Sequence, residues 1–316
     1  MGIEDAASLG VALTNLDEPL FDGAGATKRD LITYLDSVAD RIIPELADRA
    51  LSVIRVHRGH EAFMQKNLPS YAPPWVDRVS MWAESSKREV TYAICNNRRT
   101  LLWFGNQRAV EYHPSLIRVS SPEHMTHLVL DIDPPRGDAF AVAVKAAGIV
   151  RHVLIDAGLD AVIKTSGAKG LHIFVPIEES VSIEDAAAAT RAIASRAERS
   201  EPGAITTAFM KEDRAGKVFV DSTRVGGATV AAAYGPRVRP GTPVSFPLDW
   251  DELGDVSPSD FTVLTAGSRL GDGDRWAGRM PPPQRLGAAL LEEGRAIPVA
   301  RVQAMHEGRR RARGGR

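Results

Sequence analysis

The run His127-Leu128-Val129-Leu130-Asp131-Ile132-Asp133 constrains the fold more than any other segment of this chain. It is apolar enough for a buried strand, and strand side chains alternate between faces. Asp131 and Asp133 therefore leave one face together, while Leu128, Leu130 and Ile132 fill a core on the other. Pro134 and Pro135 end the strand, since neither can donate a backbone hydrogen bond. Two carboxylates so placed can bridge a pair of divalent ions about 3.5–4 Å apart. The same residues could simply cap a turn at a strand end.

Two further segments point toward phosphate chemistry. Val162-Ile163-Lys164-Thr165 and Leu171-His172-Ile173-Phe174-Val175 read as strands joined by the turn Ser166-Gly167-Ala168-Lys169-Gly170. Glycines allow positive backbone angles, and a turn that exposes amide hydrogens beside a serine hydroxyl and a lysine ammonium makes a concave anion site. Alternation directs His172 to the face opposite Leu171, Ile173 and Val175, toward the same cleft as Ser166 and Lys169. The competing reading leaves Lys169 in solvent and His172 hydrogen-bonded in the core. The third segment, Lys217-Val218-Phe219-Val220-Asp221, is an apolar strand ending in an acid, so Asp221 is a candidate third metal ligand. The charged stretch before it, Lys211 to Lys217, reads by composition as a solvated loop.

The chain has 316 residues, 44% of them apolar, enough for a substantial core. No segment stays apolar for the roughly 18 residues a membrane span needs. The acidic N-terminus carries no basic leader before an apolar stretch, so a cytoplasmic, nucleoid-associated protein without membrane contact is expected. A single cysteine, Cys95, excludes an intramolecular disulfide and any thiolate-rich zinc cluster; within the strand-like Val90 to Cys95 it should be buried and inert. A net charge of -1 excludes a uniformly basic coat but not a basic groove, and cations gather at Lys87-Arg88, Arg98-Arg99 and Arg237 with Arg239.

The spacing predicts a helix over 28–49 capped by Thr27, a strand over 51–56, two or three strands over 79–103, and helices over 140–156 and 183–198. Residues 1–300 are expected to form one domain, with an N-terminal subdomain to about 120 beside a catalytic subdomain from about 121. The Gly/Arg-rich tail 301–316 reads as disordered. No internal repeat is present.

Three segments occur in a characteristic order: Leu130-Asp131-Ile132-Asp133-Pro134, Thr165-Ser166-Gly167-Ala168-Lys169-Gly170-Leu171-His172 and Arg214-Ala215-Gly216-Lys217-Val218-Phe219-Val220-Asp221. In these the chain resembles the bacterial archaeo-eukaryotic-type primase-polymerases, most closely the polymerase domain of the end-joining ligase D. The resemblance begins at Leu13-Thr14-Asn15, passes through Ala26 to Ile32, Phe63 to Asn67 and Ala72 to Val76, and runs on to Tyr234. It implies an α/β fold of α+β type, with mostly antiparallel central sheets flanked by helices and a cleft for nucleotide and template. It also implies a nucleotidyltransferase that adds nucleoside triphosphates, ribonucleotides by preference, to a DNA primer 3′-hydroxyl during gap filling or end joining.

By that resemblance Asp131, Asp133 and Asp221 hold two manganese or magnesium ions. Ser166, Lys169, His172 and Arg237 surround the triphosphate, and His113 lies near the nucleotide sugar and phosphates. Phe63 and Met64 stand where the family has two aromatics, one of which stacks on a base, and a thioether there stacks more weakly. Asn15, Lys28 and Lys66 belong to the DNA side. The expected partners are primer-template or gapped DNA, nucleoside triphosphates, a Ku-like protein and a separate ligase, with the chain itself a monomer.

Two further places depart from the family. Glu18 replaces a lysine that pairs with the lysine of Thr27-Lys28 to grip a downstream 5′-phosphate, and an anion there repels phosphate. Ser222-Thr223-Arg224-Val225-Gly226-Gly227 stands where a tryptophan, polar residues and a lysine are usual. These departures favour a stand-alone relative of the ligase D polymerase. The alternatives are a primase that starts chains de novo, a non-catalytic DNA-end-binding module and a phosphodiesterase using the same metals.

Overall fold

The computed structural model describes residues 9–57, 59–83, 87–137 and 140–298, so the tail 301–316 lies outside the described residues. Helix α1 (Lys28–Ser37) opens with a capping box: the Thr27 hydroxyl accepts from the Asp30 amide and the Asp30 carboxylate accepts from the Thr27 amide. The single helix expected over 28–49 is two, because Val38, at φ -104° and ψ 6°, leaves the helical basin before α2 (Ala39–Leu46). Pro44 within α2 has no amide hydrogen to continue the ladder.

The first sheet runs β2-β1-β4-β3 with β5 also paired to β1, all antiparallel. Its strands are β1 (Leu51–Arg55), β2 (Phe63–Gln65), β3 (Arg78–Ala83), β4 (Arg88–Ala93) and β5 (Ala109–Pro114). Two strands thus occupy the region 79–103, and its last apolar run belongs instead to helix α3 (Arg98–Asn106), whose first turn is capped by Asn97. Thr100 to Gly105 are all buried, and the short apolar, aromatic run Leu101 to Phe104 looks strand-like in sequence.

The second sheet has β6 (His127–Asp133) near its middle, in the order β11-β7-β8-β6-β10-β9. After β6 come α4 (Phe140–Asp156), β7 (Val162–Thr165), β8 (Leu171–Pro176), α5 (Ile183–Ser200), β9 (Ile205–Thr206), β10 (Val218–Asp221) and β11 (Pro247–Leu248). Only the β9–β10 pairing is parallel. Helices α6 (Arg275–Arg279) and α7 (Ala288–Ala296) are the last elements among the described residues, α7 lying on α5.

One continuous core contains residues from both sheets. The Tyr34 hydroxyl of α1 donates to the Tyr234 carbonyl at 2.8 Å, and Arg41 of α2 donates to the carbonyls of Gly271 and Gly273, so the N-terminal helices lean on the C-terminal half. Cys95 is fully buried and burial pushes its thiol up to about 12, which leaves it inert. No helix among the described residues is long and apolar enough to cross a membrane.

Candidate active site

Strand β6 has β8 on one edge and β10 on the other. Asp131 therefore lies opposite His172 on one side and Asp221 on the other, while Asp133 lies opposite Phe219. Directly opposed residues share a sheet face with Cβ atoms about 4.5–5.5 Å apart, so the register alone lines up His172, Asp131 and Asp221.

Each acid is held by a cation. Asp131 Oδ2 is 3.1 Å from Arg224 Nη2, and Arg224 Nε is 3.3 Å from Asp221 Oδ2. Asp133 contacts Lys169 Nζ at 3.1 Å and Arg214 Nη1 at 3.2 Å. Asp221 also accepts from the Thr223 amide at 2.8 Å and hydroxyl at 2.6 Å. Burial raises the Asp131 carboxyl, Arg224 opposes the rise, and the charges of Asp221 and Asp133 add to it.

Among the described residues no three His, Cys, Asp or Glu side chains are already drawn together as a metal cage. The donor set nevertheless fits magnesium or manganese, which take hard carboxylate oxygens. Arg224 spans Asp131 and Asp221 with positive charge, the role a bridging ion would take.

Arg224 and Arg214 were not legible as site residues, since one lies in a loop that departs from the family and the other in a stretch that looks solvated. The available signal was an arginine three residues beyond Asp221. Arg214 is pinned by the carbonyls of Ala208 and Phe209, and its guanidinium sits 3.7 Å from the Phe219 ring centre. Beside it opens a cleft of about 670 Å³ whose lining includes Asp133, Arg136, Lys169, Lys211, Arg214 and Lys217, a predominantly cationic wall suited to phosphates.

The hairpin turn is closed from within. Ser166 Oγ accepts from the amides of Ala168 at 3.3 Å and Gly170 at 3.2 Å, so these two amides point at the serine rather than outward as the turn had suggested. Gly167 has φ +67°, and a Cβ there would lie 2.5 Å from Arg237 Cγ. Lys169 reaches across to the Pro134 carbonyl as well as to Asp133, tying the hairpin to the end of β6.

Arg237 is braced by Glu111, a residue the sequence did not single out. Glu111 is 3% exposed; its Oε2 is 2.9 Å from Arg237 Nε and 2.8 Å from His113 Nε2, and its Oε1 accepts from the Val238 amide at 2.8 Å. Burial alone would raise its carboxyl, but the hydrogen bond from His113 and the Arg237 charge bring it down to about 2. A depressed acid stabilises the fold fully above its unfolded value of 4.5 and loses that contribution as pH falls toward 2. Glu111→Gln should cost about 3–5 kcal/mol at neutral pH, as breaking a buried ion pair does. It should also flatten the acid limb of the stability curve, which denaturant titrations between pH 7 and pH 3 would register. An unchanged acid limb would show that the pair contributes nothing.

Phe63 (40% exposed) and Met64 (47%), expected at a base, stand on the edge strand β2 of the first sheet, followed by exposed Lys66, one of the three residues expected to meet DNA. The Phe63 ring stacks on His57, with centroids 5.5 Å apart and planes 12° apart. Lys28 is only 3% exposed: its ammonium donates to the Thr14 carbonyl at 2.6 Å, and burial with the Arg108 charge lowers it to about 8. Asn15 adopts φ 51° and its carbonyl accepts from the Glu18 amide. Glu18 lies 3.2 Å from Arg108. The local charge is thus two cations and one anion, with the anion neutralised by an arginine that sequence reading did not connect to it.

A carboxylate trio on adjoining antiparallel strands, flanked by a serine-lysine hairpin and a basic cleft, is an arrangement suited to metal-assisted phosphoryl transfer. Residues 27–276 match the family model described as LigD, primase-polymerase domain, and the chain belongs to that family. The Mycobacterium tuberculosis multifunctional non-homologous end joining DNA repair protein LigD is 36% identical over 276 residues, 83% of this chain and 36% of that protein. The Bacillus subtilis bifunctional non-homologous end joining protein LigD is 33% identical over 262 residues, 81% of this chain and 42% of its own. The chain therefore spans well under half the length of these relatives. The polymerase domain from Mycobacterium tuberculosis ligase D in complex with DNA matches with a TM-score of 0.78 at 34% identity, covering 85% of this chain and 97% of that one.

Proposed function

We propose that this domain extends DNA primers from their 3′-hydroxyl with nucleoside triphosphates, preferring ribonucleotides, to fill gaps during DNA end joining. The observation that carries the reading is the register that sets Asp131 between His172 and Asp221 with Asp133 one pleat away. Two divalent ions, manganese or magnesium, would be held by Asp131, Asp133 and Asp221 and would supply activation of the hydroxyl and neutralisation of the triphosphate. Lys169 and Arg214, now paired with Asp133, can turn to phosphate oxygens. Arg237, braced by Glu111, adds a positioned guanidinium, and Phe63 with Met64 offers an exposed stacking edge for a base. Positioning and charge compensation then provide most of the rate. Gap filling presupposes a Ku-like partner that holds the ends and a ligase that seals the product.

The test is extension of a labelled primer-template with manganese or magnesium and either ribo- or deoxyribonucleotides, with the Asp131→Ala/Asp133→Ala variant alongside. Extension by the unsubstituted protein alone is the expected result. Retained DNA binding without extension under every condition would overturn it in favour of an end-binding module.

A second outcome concerns the 5′-phosphate. With Glu18 paired to Arg108 and Lys28 turned inward, gapped DNA with and without a downstream 5′-phosphate should bind almost equally. Glu18→Lys should shift the ratio toward the phosphorylated gap by about tenfold, the scale of a charge-assisted contact. Binding titrations on the two gapped substrates measure it; a strong preference already present in the unsubstituted protein would refute the reading.

A further inference from the structure

Behind the acids lies a lysine that the reaction as outlined does not use. Lys164, on β7, has no exposure to solvent, yet its ammonium has three partners: His172 Nδ1 at 2.7 Å, the Ala231 carbonyl at 2.9 Å and Ser245 Oγ at 2.6 Å. On the far side of the same imidazole, His172 Nε2 is 3.5 Å from Asp131 Oδ1.

The hydrogens can be accounted for one by one. Ser245 donates its own hydrogen to the Thr165 carbonyl at 2.6 Å, so toward Lys164 its oxygen accepts. The Ala231 carbonyl can only accept. Burial pulls the Lys164 ammonium well below its ordinary value and the charges of Glu45 and Asp131 oppose the fall; kept as an ammonium, it has one hydrogen left, and that hydrogen points at His172 Nδ1, which is then the bare nitrogen of the ring. The ring proton is thereby placed on Nε2, facing Asp131. The opposite arrangement would put the proton on Nδ1 against a neutral amine and aim the Nε2 lone pair at a carboxylate, which repels it.

We propose that Lys164 is a positioning residue that locks His172 in its Nε2–H tautomer, so that the imidazole presents a donor, not an acceptor, to the phosphate oxygens of the incoming nucleotide. This inference rests on the nucleotidyltransferase reading of the site. It also explains a fully buried lysine: the cost of desolvating the ammonium is offset by three acceptors, and one of them carries orientation into the cleft. A neutral ring with a fixed donor can serve a phosphate without adding a charge that would compete with metal binding at Asp131.

The first test needs no substitution. In the two-bond proton–nitrogen NMR spectrum of the isotope-labelled histidine rings, with the His172 signals assigned by their loss in His172→Gln, the Nε2-protonated pattern is expected. The Nδ1-protonated pattern, or averaged signals from two exchanging tautomers, would overturn the proposal whether or not the protein extends primers. The second test is a double-mutant cycle on extension. Lys164→Met should lower kcat about 10²-fold, the scale of losing an oriented donor, with KM for the nucleotide little changed. His172→Gln, whose amide N–H stands near the Nε2 position, should retain more activity than Lys164→Met. In that background Lys164→Met should add little, whereas fully additive losses would show that Lys164 acts only as a structural tie. Should Lys164→Met fail to fold, the tautomer in the unsubstituted protein decides alone. An unsubstituted protein that extends no primer would fail the functional reading while leaving the tautomer result standing.

Discussion

Asp131→Ala and Asp221→Ala should each reduce primer extension by about 10³-fold or more, the several kcal/mol that a metal-stabilised transition state loses with its ligand. Stability should not fall in parallel. Asp131 sits where burial and two neighbouring acids make its ionised form costly, so its removal relieves repulsion, and Arg224 still has Asp221 3.3 Å away. Asp221 is different, because it accepts from the Thr223 amide and hydroxyl and anchors the loop after β10; its alanine variant should also loosen that loop. Thermal unfolding, manganese binding by electron paramagnetic resonance and primer extension on the same preparations separate these effects. An Asp131→Ala protein that melts with the parent, binds less manganese and does not extend is the expected result. Extension within tenfold of the parent would remove Asp131 from the reaction.

Gly170→Ala should be almost as damaging for a different reason. An alanine Cβ at this position would lie 2.2 Å from the Ile132 carbonyl oxygen, inside any allowed contact, and the obstacle is backbone rather than a movable side chain. Ile132 is the residue between Asp131 and Asp133, so the hairpin can make room only by pushing the strand that carries both acids. A cost of about 3 kcal/mol is expected, at the upper end for overpacking, together with loss of extension. Gly148→Ala provides the contrast: it lies within α4 with open space at its Cβ, so it should gain about 0.5–1 kcal/mol from helix propensity. Urea denaturation of the two variants tests the pair, and a Gly170→Ala protein as stable as the parent would mean that the hairpin and β6 are not in fixed contact.

Much of the site was readable because its local chemistry is periodic. Alternation along 127–133 placed the two acids on one face, and the short turn between two apolar runs announced the β7–β8 hairpin, which is there in antiparallel register. The turn's interior was less legible: Ser166 takes up the amides of Ala168 and Gly170, a choice between a local hydroxyl and an outside anion that composition leaves open. Helices failed where a short run of buried apolar and aromatic residues also suits a strand, as at 101–104, or where one residue left the helical basin, as at Val38.

By itself the sequence determined the strands that carry the acids and the hairpin, the face that Asp131 and Asp133 share, the order of the three acid and phosphate segments, the lone inert cysteine and the family to which those segments point. Only the tertiary structure decided which residues stand opposite one another. Asp221 comes to Asp131 through the β6–β10 register, Arg224 and Arg214 close over the acids, Glu111 braces Arg237, and Lys28 turns inward to Thr14 while Lys164 turns to His172. The physical reason is reach. Side-chain alternation is written within a few residues of the chain, whereas an ion pair between residues 93 positions apart depends on a hydrogen-bond ladder that forms only when the whole sheet does.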